Sequence, residues 1–386
     1  MQNRTLGKTG ETVSILGFGC MRLPLLDPSD PSSIDLDLAT NMVRKAIDRG
    51  VNYLDTAYPY HRSGDLATPG ASEPFLAHAL KDGYREKVKI ATKLPTWFME
   101  DKAQMNRILD EQLKRLNVSQ IDFYLAHNMN RPVWPKMRDI GMFEFLSDAM
   151  KDGRIKHVGF SFHDHYDLFE EILGAFDWSF AQIQYNYLDI DFQAGRKGLD
   201  LAAKRGLGVV VMEPLRGGFL IQHLPEEMKS LLAKVRPDWS LADWGLRWVW
   251  NHPAVGVVLS GMTEMRHVDE NLDIADSFEP LKPAEEEALD QVRDYFLKRI
   301  KVNCTGCGYC LPCPTGVNIP KVFALYNDYY AVDSSPNHTR VESAYRMQVK
   351  DAEAASNCVS CGACESKCPQ NLPISREMPE AAGIFG

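Results

Sequence analysis

The sequence of 386 residues contains no long uninterrupted hydrophobic run. A helix that crosses a bilayer needs about 20 consecutive apolar residues, and no stretch of the chain approaches that length. Residues 1–4 also lack the apolar segment of a secretory signal. We therefore expect a cytoplasmic protein without a membrane partner.

The chain also lacks an excess of basic residues. Its 43 Lys and Arg are outnumbered by 52 Asp and Glu, which gives a formal net charge of −9. Because nucleic acids attract basic surfaces, this balance argues against a nucleic-acid partner. Hydrophobic residues make up 45% of the chain, enough for a substantial core in one large domain and one small domain.

Cysteine is nearly absent from the first 303 residues, where only Cys20 occurs. The other eight of the nine cysteines lie between Cys304 and Cys368. In a reducing compartment such clustering indicates metal ligation rather than disulfides. We therefore expect a domain boundary shortly before residue 304, and we do not expect the solitary Cys20 to be a ligand.

The first 282 residues alternate short apolar runs with helical patterns, after a predicted hairpin around residues 7–10. The predicted strands are 16–18, 51–54, 88–92, 121–126, 155–160, 180–184, 208–212 and 255–259. Eight strand–helix repeats in roughly 250 residues fit a closed (β/α)8 TIM barrel. An open doubly wound sheet is the alternative, but residues 17–22 do not form the G-x-G-x-x-G phosphate loop that such a sheet usually carries.

Ionisable residues stand at the carboxyl ends of three successive predicted strands. Asp55 ends the second strand, Lys93 follows the third, His127 follows the fourth, and Tyr60 lies in the loop after the second. Barrel active sites lie at this end of the strands. Each residue taken singly is more often a cap, a solvated group or a core group, but together they favour proton chemistry at one rim.

These four residue types suit the reduction of a carbonyl group. A free tyrosine has a pKa of about 10, and a nearby ammonium such as that of Lys93 lowers the pKa of a phenol. Asp55 would keep Lys93 charged, and His127 would hydrogen-bond the substrate oxygen. Tyr60 would then give its proton to the developing alkoxide as a general acid.

The motifs that carry these residues resemble those of the aldo-keto reductases. The matching segments are Asp55-Thr56-Ala57 with Tyr60, residues 91–93, 122–127, 153–161 and 182–186, and Glu270-Asn271. The resemblance covers about residues 4–277. It implies a (β/α)8 barrel, a small-molecule carbonyl or alcohol substrate, and a nicotinamide cofactor bound extended across the barrel mouth. It also implies four catalytic residues, which are Asp55, Tyr60, Lys93 and His127.

The same resemblance implies a set of cofactor contacts. Around the nicotinamide and its ribose these are Gly19, Met21, Arg22, Asp55, Ser161 and Gln182. Along the ring and the pyrophosphate they are Met212, Pro214, Leu215 and Gly217, in the segment 212–218. At the adenosine end they are Ser260, Gly261, Met262, Arg266, His267, Glu270 and Asn271.

Three positions depart from the family pattern. Phe162 replaces the usual Asn after the serine, so one carboxamide contact is lost or made by His163. Met212 replaces the aromatic residue that commonly stacks on the nicotinamide, and a thioether packs there differently. Gly261 and His267 replace the Lys and Arg that often pair the 2′-phosphate, although Arg266 could compensate. NADP(H) is the expected cofactor, with NAD(H) as the alternative.

The cysteines form two runs of four, each followed by proline. The second run, at residues 358, 361, 364 and 368, has the bacterial ferredoxin spacing C-x2-C-x2-C-x3-C-P. The first run, at residues 304, 307, 310 and 313, is one residue shorter before its last cysteine. In that pattern the fourth cysteine ligates the other cluster. We therefore predict two [4Fe–4S] clusters, one on Cys304, Cys307, Cys310 and Cys368, and one on Cys358, Cys361, Cys364 and Cys313.

A zinc site is the alternative for the tail, but zinc sites made of four cysteines usually use two separated C-x2-C pairs. The predicted organisation is a barrel domain over 1–282, a connecting helix within 283–303 and a small α-helical ferredoxin-like domain over 304–386. Helices are predicted near 321–330 and 340–355 in this tail. Candidate pocket residues are Trp97, Asn128, Met129, Trp134 and Tyr187.

The sequence thus predicts an NAD(P)H-dependent oxidoreductase that also carries two [4Fe–4S] clusters. Nicotinamide transfers two electrons as a hydride, whereas a cluster transfers one electron at a time, and no flavin motif is evident. The clusters are therefore structural, form a docking surface, or serve a redox partner such as a ferredoxin or flavoprotein. The alternative function is an electron-transfer or regulatory subunit whose barrel binds nucleotide with little turnover.

Overall fold

The computed structural model describes residues 1–222, 224–331 and 335–386, which form two compact units. The first unit comprises Met1–Tyr185, Asp189–Pro214 and Leu246–Pro280. The second comprises Asn186–Leu188, Leu215–Gly245 and Leu281–Gly386. The division predicted from sequence, at residues 282 and 303, stays a prediction.

The first unit contains a closed barrel of eight parallel strands, preceded by an antiparallel hairpin. The strands are β1 (Asn3–Thr5), β2 (Thr12–Ser14), β3 (Leu16–Gly19), β4 (Tyr53–Asp55), β5 (Lys89–Leu94), β6 (Ile121–Met129), β7 (Ile155–Phe162), β8 (Phe180–Gln184), β9 (Gly208–Met212) and β10 (Val255–Gly261). From β3 to β10 the strands pair in chain order, and β10 closes the barrel on β3. The predicted (β/α)8 barrel is therefore confirmed.

The α-helices lie between and after these strands. They are α1 (Leu36–Asp48), α2 (Ser72–Ala79), α3 (Lys102–Leu116), α4 (Trp134–Asp139), α5 (Met142–Lys151), α6 (Tyr166–Ala175), α7 (Gly195–Lys204), α8 (Phe219–Gln222), α9 (Glu226–Val235), α10 (Leu241–Trp250), α11 (Met265–Asp276), α12 (Pro283–Leu297), α13 (Ile319–Ala331), α14 (Ser335–Gln348) and α15 (Ile374–Phe385). Local interactions set both ends of helix α3. Asp101 caps α3 by accepting from the Gln104 amide at 2.6 Å, and Asn117 ends it in the left-handed region, with φ of 54°.

Apolar side chains fill the amino end of the barrel. Leu6 and Val13, from the segment around the hairpin, belong to the same core as Phe123, Phe180 and Val257. Leu6 approaches the start of β9 closely, because a Cβ on Gly208 would lie 2.5 Å from its side chain. With this end packed, the carboxyl ends of the strands are left to build a site.

The second unit has a small helical core of its own, which includes Phe323, Tyr326 and Met378. Helix α13 agrees with the helix predicted over 321–330. The helix predicted over 340–355 was wrong at both ends, because α14 covers Ser335–Gln348. The Tyr345 hydroxyl accepts a hydrogen bond from the Ala355 amide at 2.8 Å, so the chain after α14 folds back toward Tyr345 instead of extending the helix.

Candidate active site

A buried ion pair joins the ends of β4 and β5. Lys93 Nζ donates to Asp55 Oδ1 at 2.7 Å, to Asp55 Oδ2 at 2.8 Å and to the Thr56 carbonyl at 2.7 Å. Both side chains are almost fully buried. The parallel pairing of the two strands brings the acid and the base together, as the sequence predicted for this rim.

Tyr60 reaches the same lysine from the loop after β4. Its hydroxyl accepts from Lys93 Nζ at 3.4 Å, and the ammonium lies 4.9 Å from the centre of its ring. The loop depends on Gly70, because a Cβ there would lie 1.8 Å from the Tyr60 carbonyl oxygen. This close approach fixes the backbone of Tyr60 and has no signal in the sequence.

His127 completes the group of four side chains. Its ring centre lies 6.2 Å from that of Tyr60 and 5.2 Å from that of Trp97. The pairing of β6 with β7 shifts register between Ala126 and Met129, and Asn128 has φ of 56°. Such a bulge re-aims the neighbouring side chains. Among the described residues, His127 Nδ1 has no hydrogen-bond partner.

Burial dominates the electrostatics of these groups. It raises the pKa of Asp55 and lowers the pKa of Lys93, and the ion pair between them opposes both shifts. Burial, together with the positive charge of Lys93, holds the pKa of His127 well below its usual value. His127 is therefore neutral near pH 7 and can donate one hydrogen bond from its ring.

A largely buried polar network lies behind Lys93. Gln112 Nε2 donates to the Lys93 carbonyl at 3.0 Å and to Glu73 Oε1 at 2.8 Å. Glu73 also accepts from Thr92 Oγ1 at 2.8 Å and from Arg115 Nε at 2.9 Å. Sequence analysis missed this network. Its only trace was Glu73 beside the apolar residues of α2 and Gln112 at a position of the apolar repeat of α3, between Leu109 and Leu116.

The residues predicted around the nicotinamide lie side by side on β7, β8 and β9. Ser161 and Gln182 are register partners, and Ser161 Oγ accepts from the Asn128 amide at 2.8 Å. Gln182 Nε2 faces Met212 Sδ at 3.6 Å, while its buried Oε1 has no partner among the described residues. An unpartnered buried acceptor beside a hydroxyl fits the donor and acceptor of a carboxamide group.

The strand ends at β3 and β10 bring together further predicted contacts. Gly19 pairs in register with Gly261, and the Arg22 side chain covers Gly261, within 3.3 Å of where a Cβ would stand. Met21 is half-buried and Met262 is buried.

At the predicted adenosine end, Asn271 Nδ2 donates to Ser260 Oγ at 2.7 Å. Arg266 is exposed and pairs with Glu264, with its Nε 2.5 Å from Oε2. His267 Nδ1 lies 3.3 Å from Thr263 Oγ1, and Glu270 is half-buried. Arg266 must therefore exchange an existing partner if it is to bind a phosphate.

The remaining predicted residues are divided between the two units. Pro214 ends one segment of the first unit, whereas Leu215, Gly217 and Tyr187 belong to the second. Trp134 is a packing residue, because its buried indole donates to Glu171 Oε1 at 2.7 Å. Cys20 is buried, and burial with the nearby Asp55 charge raises the pKa of its thiol.

Two cavities in the second unit are each lined by four cysteines. One is lined by Cys304, Cys307, Cys310 and Cys368. The other is lined by Cys313, Cys358, Cys361 and Cys364. These are the two ligand sets predicted for the clusters, including the exchange of the fourth cysteine between the runs.

The cysteine arrangement suits a cluster better than a single metal ion. Tetrahedral zinc needs four sulfur atoms about 2.3 Å from one point. Within residues 1–222, 224–331 and 335–386, no group of three or more His, Cys, Asp or Glu side chains is placed to hold a single metal ion. Four thiolates around a wider cavity fit an iron–sulfur cluster.

The helices were also compared with the length and apolar character of membrane-spanning helices. In the described part of the chain, no helix has both the length and the apolar character required to span a membrane.

Comparison with known proteins identifies both regions of the chain. A model of the aldo/keto reductase family matches residues 15–294, and a model of the 4Fe-4S dicluster domain matches residues 303–372. A probable aldo-keto reductase from Glycine max is 25% identical in an alignment of 303 residues that covers 69% of this chain and 82% of that relative.

Solved structures are similar over the same region. The holo form of an aldo-keto reductase from Bacillus halodurans is 26% identical, with a TM-score of 0.63 over 76% of this chain and 96% of its own. A thermostable aldo-keto reductase solved with the inhibitor epalrestat is 25% identical, with a TM-score of 0.61 over 76% of this chain and 100% of its own. The chain belongs to the aldo/keto reductase family, as an oxidoreductase that carries a C-terminal 4Fe-4S dicluster domain.

Proposed function

We propose that this protein interconverts an aldehyde or ketone and the corresponding alcohol with NAD(P)(H), using Tyr60 as general acid and base. The observation that carries the proposal is the buried Lys93 ammonium, which lies between the Asp55 carboxylate and the Tyr60 hydroxyl. A cation beside a phenol favours its ionised form and so makes it a better proton donor. Members of this family bind NAD(P)H.

In the reducing direction, bound NAD(P)H supplies a hydride to the carbonyl carbon. Tyr60 gives its proton to the carbonyl oxygen, so that the product is an alcohol. Lys93 stabilises the phenolate that remains, and Asp55 balances the charge of Lys93 throughout. Neutral His127 donates a hydrogen bond to the substrate oxygen and orients it toward Tyr60. Solvent then returns a proton to Tyr60, and the reverse reaction uses Tyr60 as the base.

Ser161 and Gln182 hold the carboxamide of the nicotinamide in this proposal. The support is the unpartnered Gln182 Oε1 beside the Ser161 hydroxyl. Met212 packs on the ring with its thioether. NADPH is the preferred cofactor if Arg266 leaves Glu264 for the 2′-phosphate, and NADH is preferred if it does not.

The test is steady-state oxidation of NADPH and NADH against a panel of aldehydes and ketones. Tyr60→Phe should lower the turnover number by about 10²-fold or more, because it removes the general acid. Tyr58→Phe is the matched control, since Tyr58 is a neighbouring buried tyrosine whose hydroxyl faces Glu111 at 3.4 Å. Equal rates for the wild type and Tyr60→Phe would exclude the proposed role of Tyr60.

The two four-cysteine cavities favour a second candidate function. In this alternative the chain is an electron-transfer or regulatory subunit that exchanges single electrons with a ferredoxin or a flavoprotein. The discriminating measurement is the anaerobic visible spectrum of the iron-loaded protein. Cluster bleaching by a reduced ferredoxin, without carbonyl-dependent NADPH oxidation, would favour the alternative over carbonyl reduction.

A further inference from the structure

A buried arginine connects a loop of the proposed nucleotide site to the first cluster cavity. Arg216 Nη2 donates to Asn303 Oδ1 at 2.8 Å, and Asn303 directly precedes Cys304 in the chain. We propose that this Arg216–Asn303 link couples nucleotide binding at residues 215–218 to the reduction potential of the cluster on Cys304, Cys307, Cys310 and Cys368. The inference rests on the nucleotide and cluster sites of the proposed function and adds their coupling.

Asn303 is held in a short segment with little freedom. Asn327 Oδ1 accepts from the Lys301 and Val302 amides at 3.1 and 3.0 Å, and its Nδ2 donates to the Val302 carbonyl at 2.7 Å. The Cys304 amide in turn donates to the Val302 carbonyl at 2.8 Å. The residues on both sides of Asn303 are therefore held by hydrogen bonds, and we expect a shift of the Asn303 side chain to move the adjacent Cys304.

Arg216 occupies an unusual position for a charged residue. It is 1% exposed, its backbone is left-handed with φ of 50°, and its guanidinium lies 5.2 Å from the centre of the Phe219 ring. A left-handed non-glycine residue persists only where surrounding structure holds it, and such residues cluster at functional sites. Guanidinium binds phosphate in a planar, bidentate manner, so this side chain suits a loop proposed to hold pyrophosphate.

The sign of the coupling follows from charge. Cluster potentials depend on net charge, hydrogen bonding and solvent exposure, and reduction adds a negative charge. The Arg216 cation therefore favours the reduced cluster and raises its potential. A pyrophosphate at the loop would offset that positive charge and lower the potential. By linkage, reduction of the cluster should weaken nucleotide binding by the same factor.

The second cavity supplies an internal control. Its ligands are Cys313, Cys358, Cys361 and Cys364, and none of them adjoins Asn303 in the chain. Cys361 is exposed, and the neighbouring Val359 is 68% exposed. The two cavities share Ile319 and Ile374 as lining residues. We therefore expect nucleotide to act mainly on the first cluster and only weakly on the second.

The test is an anaerobic redox titration of the iron-loaded full chain, followed by electron paramagnetic resonance, with and without saturating NADP⁺. NADP⁺ is used because it carries no hydride to reduce the protein. At a fixed potential, we expect NADP⁺ to lower the ratio of reduced to oxidised first cluster by about tenfold, or about 59 mV for one electron. Asn303→Asp, which places a negative charge beside Cys304, identifies which reduction step belongs to this cluster.

Three variants separate coupling from simple packing. In the absence of nucleotide, Arg216→Met should lower the reduction potential of the first cluster. In the same variant, that potential should no longer change when NADP⁺ binds. Asn303→Ala should reduce the response to NADP⁺, because it removes the hydrogen bond of the link but leaves the Arg216 charge, the loop residues and NADP⁺ binding in place. Arg216→Lys retains the charge and should restore most of the potential seen in the wild type. A merely structural role would lower thermal stability in these variants and leave the potentials unchanged.

The result that overturns the inference is an NADP⁺ response that is equal for both clusters or unaltered in Arg216→Met and Asn303→Ala. The Tyr60→Phe variant should lose carbonyl reduction, but NADP⁺ should still lower the potential of its first cluster. If NADP⁺ binds and carbonyls are reduced but the potential does not move, the coupling alone is wrong. If fluorescence titration shows that only NAD⁺ binds, the redox titration is made with NAD⁺. If neither NADP⁺ nor NAD⁺ binds, the proposed function and the coupling fail together.

Discussion

The tetrad at the barrel rim and the cysteine cavities of the second unit are organised in opposite ways. At the rim, the polypeptide supplies both members of the central ion pair, with Lys93 within 2.8 Å of both Asp55 oxygens. In the second unit, sulfur atoms from two distant runs of the chain line cavities that a cluster would join. Side chains alone make the ion pair at the rim, whereas a bound cluster would join the cysteines of each cavity.

This difference indicates which interactions stabilise the folded state of each region. The barrel has a large apolar core and a polar network behind Lys93, so we expect it to fold without a metal. Six of the eight cysteines belong to the small core of the second unit or pack against it, and binding energy at metal sites is part of the folding energy. The predictions below test this contrast, from the largest expected effect to the smallest.

Removal of iron should have the largest effect, and it should be confined to one unit. We expect a chelator under reducing conditions to abolish the protection of amides in α13 and α15 from hydrogen exchange. Amides of β4, β5 and β6 should keep their protection, since no metal holds them. Loss of protection in both regions, or in neither, would contradict the contrast. Cys20→Ala is the control variant, and it should respond to the chelator as the wild type does.

Lys93→Met should lower the turnover number by about 10²- to 10⁴-fold, because Tyr60 loses the cation beside it. It should also cost about 3–5 kcal/mol of stability by leaving the Asp55 charge buried and unpaired. Adding Asp55→Asn should recover much of the stability and none of the activity. The control is Lys89→Met on the same strand, which breaks a partly exposed pair with Glu11 worth about 0–1 kcal/mol.

Gln112→Met tests the network behind the tetrad. It removes the donor to the Lys93 carbonyl and to Glu73, and the acceptor of the Tyr124 hydroxyl at 2.8 Å. The unsatisfied buried groups should cost about 3 kcal/mol in urea unfolding of the barrel. A barrel that unfolds at the same urea concentration would show that the network does not support the rim.

Acidification should weaken the barrel through its buried histidines. Burial lowers the pKa of His163 to about 4, so the folded state takes up its proton less readily than the unfolded state. Stability contributed by keeping this ring neutral is lost as pH falls from 6.5 toward 4, at about 2 kcal/mol by pH 5. His163→Gln should be less sensitive to pH over this range by that amount. An identical pH slope for the variant and the wild type would refute the assignment.

Much of the barrel followed from the sequence because parallel strands repeat a simple pattern. Two predicted strands, β8 and β9, match the observed bounds, and the residues after the second, third and fourth strands met at one rim. The periodicity predicts which strand end a residue occupies. Because the barrel is closed and its strands are parallel, residues at the carboxyl ends of neighbouring strands lie at the same rim. The grouping of the cysteines around two cavities agrees with the ferredoxin pattern of the sequence, and their role as cluster ligands stays a prediction.

The features that were not predicted from the sequence depend on contacts between distant parts of the chain. The bulge that turns the chain at Asn128 arises from pairing with β7, and the need for Gly70 arises from contact with the Tyr60 carbonyl. Glu73 and Gln112 meet only because α2 and α3 pack on the same side of β5. The end of α14 is set by Tyr345 and Ala355. None of these contacts leaves a periodic signal in the sequence.

The central claim is that Tyr60, polarised by Lys93, is the proton donor. It is tested most directly by single-turnover reduction of a small aldehyde with NADPH already bound, which isolates chemistry from release steps. We predict that Tyr60→Phe binds NADPH as the wild type does and reduces the aldehyde at least about 10²-fold more slowly. A single-turnover rate equal to that of the wild type would contradict the claim.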